Sequence, residues 1–180
     1  VKIDKDVPLD VACVIGCAVQ TGVGAVFNTA RVEPGATVLV MGLGGIGQSI
    51  VQGARIAGAS RIFAVDPVAS KRDAARRFGA TDLVDPADGD PVEQIRAATG
   101  GRGTDHALEA VGRPEAMLTA YRVTRRGGIV TLVGMPPADS TITFPGLELF
   151  LDAKEIRVSN LGSAQILRDF PRLVALAETE

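Results

Sequence analysis

The residues best suited to chemistry are three glycines that follow an apolar run. Glycines at 42, 44 and 47 come directly after Thr37–Met41 and precede a stretch whose apolar residues recur at helical spacing. In this G-x-G-x-x-G order the first glycine permits a tight turn, the second lets the backbone approach a diphosphate, and the third lets the helix pack close to the strand. The start of that helix offers unpaired N–H groups and a positive dipole end. The segment therefore predicts a site for the diphosphate of a dinucleotide.

An acidic residue stands where the same site needs one. Asp66 ends the next apolar run, 61–66, and lies 19 residues after Gly47. A carboxylate there accepts hydrogen bonds from the hydroxyls of the adenosine ribose, and it repels a 2′-phosphate, which favours NAD over NADP. Two alternatives stay open. Lys71 and Arg72 could instead bind the 2′-phosphate of NADP, or the glycines could form the turn of some other α/β protein in which Asp66 is an ordinary acid.

The elements that must position these residues alternate along the chain. Such alternation indicates right-handed βαβ units, and the short continuous apolar runs suit strands covered on both faces. We predict an α/β fold, a Rossmann-type doubly wound parallel six-stranded sheet with helices on both faces. The predicted strands are near 37–41, 61–66, 83–84, 106–110, 129–133 and 155–159, and the predicted helices are near 70–78, 91–98 and 114–123.

The pattern also predicts how the chain is divided. Residues 1–30 are predicted to form two short lead-in helices broken around 16–22, residues 31–165 the dinucleotide-binding domain, and residues 166–180 a truncated helix. The chain begins with Val1 and ends inside a helical pattern without a stop signal. We therefore expect a domain excised from a longer protein, with the lead-in helices bordering a catalytic domain that this chain lacks.

Composition limits the partners and the compartment. The net charge of −2 gives no electrostatic field that would attract nucleic acid or anionic lipid. The sequence contains no run of 18 apolar residues, so we predict no membrane span. Two cysteines do not make a disulfide framework, which favours a cytoplasmic protein. The basic residues outside the glycine motif are expected to lie on solvated helix faces: Lys71, Arg72, Arg76, Arg77, Arg125 and Arg126.

Several motifs together resemble one family over essentially the whole chain. They are Gly16 with Cys17, Thr21 with Gly22, the turn 42–47, Val65 with Asp66, Lys71, and the segments 79–82, 109–113 and 134–137. In this order they are similar to the coenzyme-binding domain of the zinc-dependent alcohol dehydrogenases, in the medium-chain dehydrogenase/reductase superfamily. The resemblance implies oxidation of an alcohol, as a small-molecule substrate, to an aldehyde or ketone by hydride transfer to NAD, assisted by zinc, with the fragment itself inactive.

The resemblance also implies roles for single residues. Cys17 matches the one catalytic zinc ligand that this region supplies, and Ile46 matches the apolar residue packed behind the nicotinamide ring. The stretch around 142–159 matches the part that pairs with a second subunit, which implies a homodimer. The positions that match cofactor contacts are Thr21, Gly42, Gly44, Gly45, Ile46, Gly47, Asp66, Lys71, Ala110, Val111, Arg113, Val133 and Leu161.

Several of these residues also have plainer interpretations. A catalytic zinc needs three protein ligands, so Cys17 would need partners from upstream of this chain, and by itself it would more often be a small core residue. We interpret Cys13 as a core residue and His106, the only histidine, as structural. Arg113 could bind the diphosphate or simply lie on the surface.

Three other functions remain open from the sequence. The chain could belong to a zinc-free NADP-dependent quinone or enoyl reductase, to a non-catalytic NAD-binding module, or to a methyltransferase that uses S-adenosylmethionine. The helical spacing after Gly47 and the segment 134–137 favour a dehydrogenase over the methyltransferase.

Overall fold

The computed structural model describes residue 5 and residues 7–177 and contains one six-stranded parallel sheet. The strand order is β3-β2-β1-β4-β5-β6, so the predicted Rossmann-type fold is confirmed. The strands are β1 (Thr37–Met41), β2 (Arg61–Val65), β3 (Asp82–Val84), β4 (Thr104–Glu109), β5 (Thr124–Leu132) and β6 (Glu155–Val158). β2 and β3 are added on one side of β1 and the last three strands on the other, so the strand order reverses between β1 and β4. In open α/β sheets the crevice at this switch point, beyond the carboxyl ends of the strands, is where ligands bind.

Helices cover both faces of the sheet. The helices are Leu9–Ala30, Gly45–Ile56, Ala69–Phe78, Pro91–Ala98, Pro114–Val123, Gly146–Asp152 and Ile166–Ala177. Alternate residues of each strand supply two separate cores because side chains point to opposite faces. Val38, Val40 and Leu108 pack with the first two helices, whereas Leu39 and Ala107 pack with the helix Pro114–Val123. The helix Gly146–Asp152 was not predicted.

The N-terminal region differs from the prediction. Instead of two short helices broken around 16–22, one helix spans Leu9–Ala30, with wider π-helical turns at Ile15–Val19 and Ala25–Ala30. The glycines serve close packing here. A Cβ atom on Gly22 would lie 2.6 Å from the carbonyl oxygen of Ile46, and one on Gly24 would lie 2.5 Å from that of Gly162. Only glycine lets these backbones approach so closely.

The same helix bears on the expectation that the chain has no membrane span. The helix has 22 residues and a mean hydropathy of 1.7, so by length and composition alone it could cross a membrane, and 44% of its apolar stretch is buried in the domain. A buried core helix of a globular domain can have the same length and composition. Ala25, Val26 and Ala30 are fully buried against the sheet, so part of the apolar character serves the core. The absence of a membrane span stays a prediction.

The start of β5 also differs from the prediction. Gly127 and Gly128 do not end a helix but lie inside β5, where the pairing slips: Thr104 faces Thr124, whereas His106 faces Ile129. The two arginines before them are therefore on a strand and not on a solvated helix face. Arg125 Nε lies 2.6 Å from Asp105, and Arg126 Nε lies 3.2 Å from Asp152.

The C-terminal helix, predicted over 166–180, spans Ile166–Ala177 and contains Pro171. Residues 178–180, like residues 1–4 and 6 of the predicted lead-in region, lie outside the described residues.

Candidate functional site

In the glycine turn after β1, there is free space beside Gly44 but none beside Gly47. Gly42 has φ 87° and donates its N–H to the carbonyl of Val65 at 2.9 Å. A Cβ atom on Gly44 would meet nothing within 4 Å, whereas one on Gly47 would overlap the carbonyl oxygen of Gly42. Gly45 and Gly47 begin the helix Gly45–Ile56, whose first N–H groups face the turn. The open space at Gly44 therefore suits an anionic group held by backbone N–H donors.

The carboxyl group of Asp66 points toward this turn. The residue is only 6% exposed. Its Oδ2 accepts a hydrogen bond from the N–H of Leu43 and its Oδ1 accepts one from the N–H of Val68, both at 2.9 Å. Each oxygen keeps a second lone pair for a further donor, such as a sugar hydroxyl. Lys71 Nζ lies 3.9 Å from Oδ2, so Asp66 and Lys71, which both match cofactor contacts in the family, are neighbours.

Arg72 does not lie on a solvated helix face, and that prediction was wrong. Its side chain is 14% exposed and lies 2.5 Å from Oδ2 of Asp85. It also donates to the backbone carbonyl of Asp66 at 2.6 Å. The guanidinium therefore ties the end of β2 to the end of β3. Because two of its three guanidinium nitrogens are engaged in these contacts, it is a poorer candidate for holding a 2′-phosphate.

Gln48 is a residue of this site to which the sequence assigned no role. Its amide Nε2 donates to the carbonyl of Leu43 at 3.1 Å and to that of Lys71 at 2.9 Å. The side chain thus connects the glycine turn with the helix that carries Lys71. The only sequence signal is a polar residue next to the apolar stripe of its helix.

A second group of predicted residues meets where the long N-terminal helix crosses the helix Gly45–Ile56. Thr21 is buried beside Gly22, whose backbone approaches Ile46. Leu161 lies on a turn in which three successive residues have positive φ: 51° at Leu161, 70° at Gly162 and 47° at Ser163. A Cβ atom on Gly162 would lie 3.0 Å from the carbonyl oxygen of Thr21, so this turn sits against the same helix.

Asn28 holds that turn in place. Its Nδ2 donates to the carbonyl of Gly162 at 3.0 Å, while the hydroxyl of Thr29 lies 2.8 Å from that of Ser163. Leu161 and Ser163 lie in the left-handed region, which strains a non-glycine backbone, and such strain is common at binding sites. Leu161 is 43% exposed on this turn. The structure therefore brings Thr21, Ile46 and Leu161 into one region.

The segments that follow β4 and β5 border the glycine turn. Ala110 donates its N–H to the carbonyl of Met41 at 2.8 Å, and a Cβ atom on Gly42 would lie 2.7 Å from a methyl of Val111. Val133 donates its N–H to the carbonyl of Glu109 at 2.8 Å. Arg113 is exposed at the start of the helix Pro114–Val123. Ala110, Val111 and Val133 thus lie at the predicted edge, whereas Arg113 reaches outward.

Glu109 is a fully buried acid to which the sequence assigned no role. Its Oε1 accepts from the N–H of Val111 at 2.7 Å and from that of Gly112 at 2.8 Å. Its Oε2 is buried and has no hydrogen-bond partner among the described residues. Burial raises the pKa of Glu109, although the backbone hydrogen bonds act in the opposite direction.

Both cysteines are exposed on the N-terminal helix, so the interpretation of Cys13 as a core residue was wrong. Its Sγ lies 3.0 Å from the carbonyl oxygen of Asp10. Cys17 lies in the π-helical stretch Ile15–Val19, one turn before Thr21 on the same side of the helix. Within residue 5 and residues 7–177 no group of three or more His, Cys, Asp or Glu residues could hold a metal ion. The described residues therefore offer two exposed thiols, Cys13 and Cys17, and not a complete metal site.

The burial of His106 favours its interpretation as a structural residue. It is 7% exposed in β4, and desolvation lowers its pKa below the usual value. No metal cluster among the described residues includes it.

Comparison with known proteins decides the family. A model of the zinc-binding dehydrogenases matches residues 45–179. The chain belongs to the zinc-binding dehydrogenase family. The predicted resemblance to zinc-dependent alcohol dehydrogenases is thereby confirmed, and curated relatives agree. The chain is 37% identical over 175 residues to alcohol dehydrogenase 1 of Pisum sativum, covering 96% of this chain and 46% of the relative. It is 38% identical over 177 residues to alcohol dehydrogenase 1 of Oryza sativa subsp. indica, covering 97% and 46%.

Solved structures of alcohol dehydrogenases contain a part with the same fold as this chain. Benzyl alcohol dehydrogenase from Acinetobacter calcoaceticus matches with a TM-score of 0.95 at 35% identity, over 99% of this chain and 49% of that one. Alcohol dehydrogenase TADH from Thermus sp. ATN1 matches with a TM-score of 0.87 at 27% identity, over 97% and 50%. The chain thus spans about half the length of the relatives it matches.

Proposed function

We propose that this zinc-binding dehydrogenase chain is the NAD-binding domain of an alcohol dehydrogenase that oxidises an alcohol to an aldehyde or ketone. The observation that carries the proposal is the open turn at Gly44 with the carboxyl group of Asp66 directed at it. In this arrangement the turn holds the diphosphate and Asp66 holds the adenosine ribose. Residues 31–165 form this domain, residues 1–30 lead into it from a catalytic domain, and the helix Ile166–Ala177 follows it.

The surroundings of Asp66 favour NAD over NADP. A 2′-phosphate would lie beside the carboxylate, and two negative charges at such close range repel each other. Lys71 is the nearby cation, but its ammonium already lies 3.9 Å from Asp66. Arg72 bonds to Asp85 and to the backbone of Asp66, so its guanidinium is engaged elsewhere.

The residues at the other end of the crevice orient the nicotinamide. NAD, when bound, supplies the carbon that accepts the hydride. Ile46 would lie behind the ring, Thr21 and Leu161 would lie beside it, and the loops that contain Val111 and Val133 would border this end of the cofactor. A ring held in one orientation reacts faster because less freedom must be lost on the way to the transition state.

Zinc is proposed for the whole protein and not for this chain alone. Cys17 supplies one thiolate ligand, and a catalytic site needs two more protein ligands and an open position. No such set exists among residues 5 and 7–177, so the remaining ligands must come from the rest of the protein. Because Cys17 lies one turn before Thr21, which is proposed to contact the nicotinamide, the proposed metal would lie near that end of the cofactor.

A homodimer through the 142–159 region is the proposed assembly. β6 is the edge strand and pairs only with β5 among the described strands. Large apolar side chains surround that edge: Leu147 is 72% exposed, Phe150 83% and Val158 72%. An exposed edge with an apolar rim suits a symmetric contact with a second copy.

The cytoplasmic location stays a prediction.

The proposal is tested by assaying the intact protein with small primary and secondary alcohols and either NAD or NADP, with zinc content measured alongside. We expect NAD-dependent oxidation and bound zinc. Activity with NADP on quinones or enoyl substrates without zinc would favour the reductase alternative. Binding of NAD without any turnover would favour a non-catalytic module.

A further inference from the structure

Glu109 connects two segments that border the proposed nicotinamide site. Its side-chain Oε1 accepts the N–H groups of Val111 and Gly112, at 2.7 and 2.8 Å. Its backbone carbonyl accepts the N–H groups of Val133 and Gly134, at 2.8 and 2.9 Å. One residue therefore fixes the segment after β4 through its side chain and the segment after β5 through its main chain.

The two segments also interlock directly. Gly112 has φ 80°, and a Cβ atom there would lie 2.5 Å from the carbonyl oxygen of Met135. A Cβ atom on Gly134 would overlap the N–H of Gly112. Such close backbone packing leaves no room for Val111 to move without breaking the bonds to Glu109. Since a methyl of Val111 lies over Gly42, the position of this loop sets one wall of the crevice.

We propose that Glu109 is a positioning residue for the nicotinamide half of the dinucleotide, acting through the loop 110–112 and the start of 133–135. The inference rests on the proposed function, because it assumes that these segments contact the cofactor. Glu109 itself is fully buried and does not touch the ligand. A carboxyl group at this position is otherwise unfavourable, since its Oε2 is buried without a hydrogen-bond partner among the described residues.

The required property is hydrogen-bond acceptance and not negative charge. The two hydrogen bonds to Oε1 come from uncharged backbone N–H groups, and burial raises the pKa of Glu109 although these hydrogen bonds lower it. A neutral carbonyl oxygen can accept the same two N–H groups. Glutamine should therefore replace Glu109 well, whereas leucine, of similar size but without an acceptor, should not.

The experiment compares NAD with AMP, which occupies only the adenosine half of the site near Asp66. Affinities of the intact wild-type protein, E109Q and E109L are measured by calorimetry. We expect E109L to bind NAD about tenfold or more weakly and AMP within about twofold of wild type, since unpaired buried N–H groups loosen the loop only at the nicotinamide end. We expect E109Q to bind both ligands within about threefold of wild type.

Three results would overturn the inference: unchanged NAD affinity in E109L, an equal loss of AMP and NAD affinity, or a loss in E109Q as large as in E109L. If E109L does not fold, E109D takes its place, because its acceptor is withdrawn by one methylene while the carboxyl group is kept. The same selective loss of NAD affinity is expected, and its absence overturns the inference. Failure of the wild type to bind NAD would instead refute the proposed function.

Discussion

Leu43 donates its backbone N–H to Oδ2 of Asp66 at 2.9 Å, which joins the glycine turn after β1 to the end of β2. Gln48 adds a second connection, from Leu43 to the helix that carries Lys71. The two parts of the proposed dinucleotide site are therefore held together by the protein itself. A site assembled in advance loses little freedom when the ligand binds, which favours affinity.

Replacing Asp66 should weaken NAD binding and change the choice of coenzyme. D66A removes the ribose acceptor and the acceptor for Leu43, so we expect NAD affinity to fall at least about tenfold. NADP affinity should fall less, because the repulsion of the 2′-phosphate disappears with the carboxylate. Calorimetric titration with both coenzymes measures this. D73A is the matched control, because Asp73 is an exposed acid on the neighbouring helix. An unchanged ratio of NAD to NADP affinity in D66A would argue against the assignment.

Two glycines of the turn should separate binding from folding. Gly44 has φ −72° and ψ −170°, and its Cβ direction is open, so G44V should fold and fill the diphosphate space. We expect NAD affinity to fall more than about tenfold while the free energy of unfolding changes by less than about 1 kcal/mol.

G47A, unlike G44V, should destabilise the fold. Its Cβ would overlap the carbonyl oxygen of Gly42, so the free energy of unfolding should fall by about 2 kcal/mol or more. Urea unfolding of both variants measures the difference. A G44V protein that binds NAD normally would mean that the diphosphate does not lie at this turn.

Asp105 should make the domain sensitive to acid. Burial pushes its pKa up, but hydrogen bonds from Arg125 and from the backbone and hydroxyl of Thr37 outweigh it and hold the pKa at about 2. Since this pKa is below the unfolded value of about 3.9, the stabilisation is complete above about pH 4 and is lost as the pH falls toward 2.

D105N should therefore lower the free energy of unfolding at neutral pH by about 2 kcal/mol and flatten its decline in acid. Urea unfolding over an acid pH series measures both effects. D88N, at an exposed acid, serves as the control. Equal acid dependence in D105N and wild type would show that other carboxyl groups dominate.

The dimer should depend on the apolar rim of β6. Phe150 is 83% exposed, so F150D places a charge in the proposed contact and should convert the protein to monomers. I56D, at a 50% exposed apolar residue of the helix Gly45–Ile56, should leave the assembly unchanged. Sedimentation of the intact protein measures the mass. Dimers that persist in F150D would place the interface elsewhere.

The sheet could be predicted from the sequence because most of its strands contain a short apolar run next to turn residues. β2 and β6 were predicted to within a residue or two. The start of β5 was missed because Gly127 and Gly128 normally end elements, whereas here they accommodate a slip in strand pairing. The continuous N-terminal helix was missed for a related reason. Gly22 and Gly24 were taken as breaks, but they allow close approach to Ile46 and Gly162.

The candidate site was predictable where the residue type itself carries the chemistry. The glycines of the turn and Asp66 are informative because few other residues can do their work. Glu109, Gln48 and Arg72 were missed because their roles depend on backbone groups that the fold brings to them. The direction in which a buried polar side chain points is decided by tertiary packing, and sequence spacing does not show it.

The most direct test of the central claim is a crystal structure of the intact protein with NAD bound. We expect the diphosphate against the backbone N–H groups of the turn 44–47 and the adenosine ribose hydroxyls hydrogen-bonded to the carboxyl group of Asp66. A dinucleotide bound away from this turn, or with its adenosine ribose out of reach of Asp66, would contradict the account.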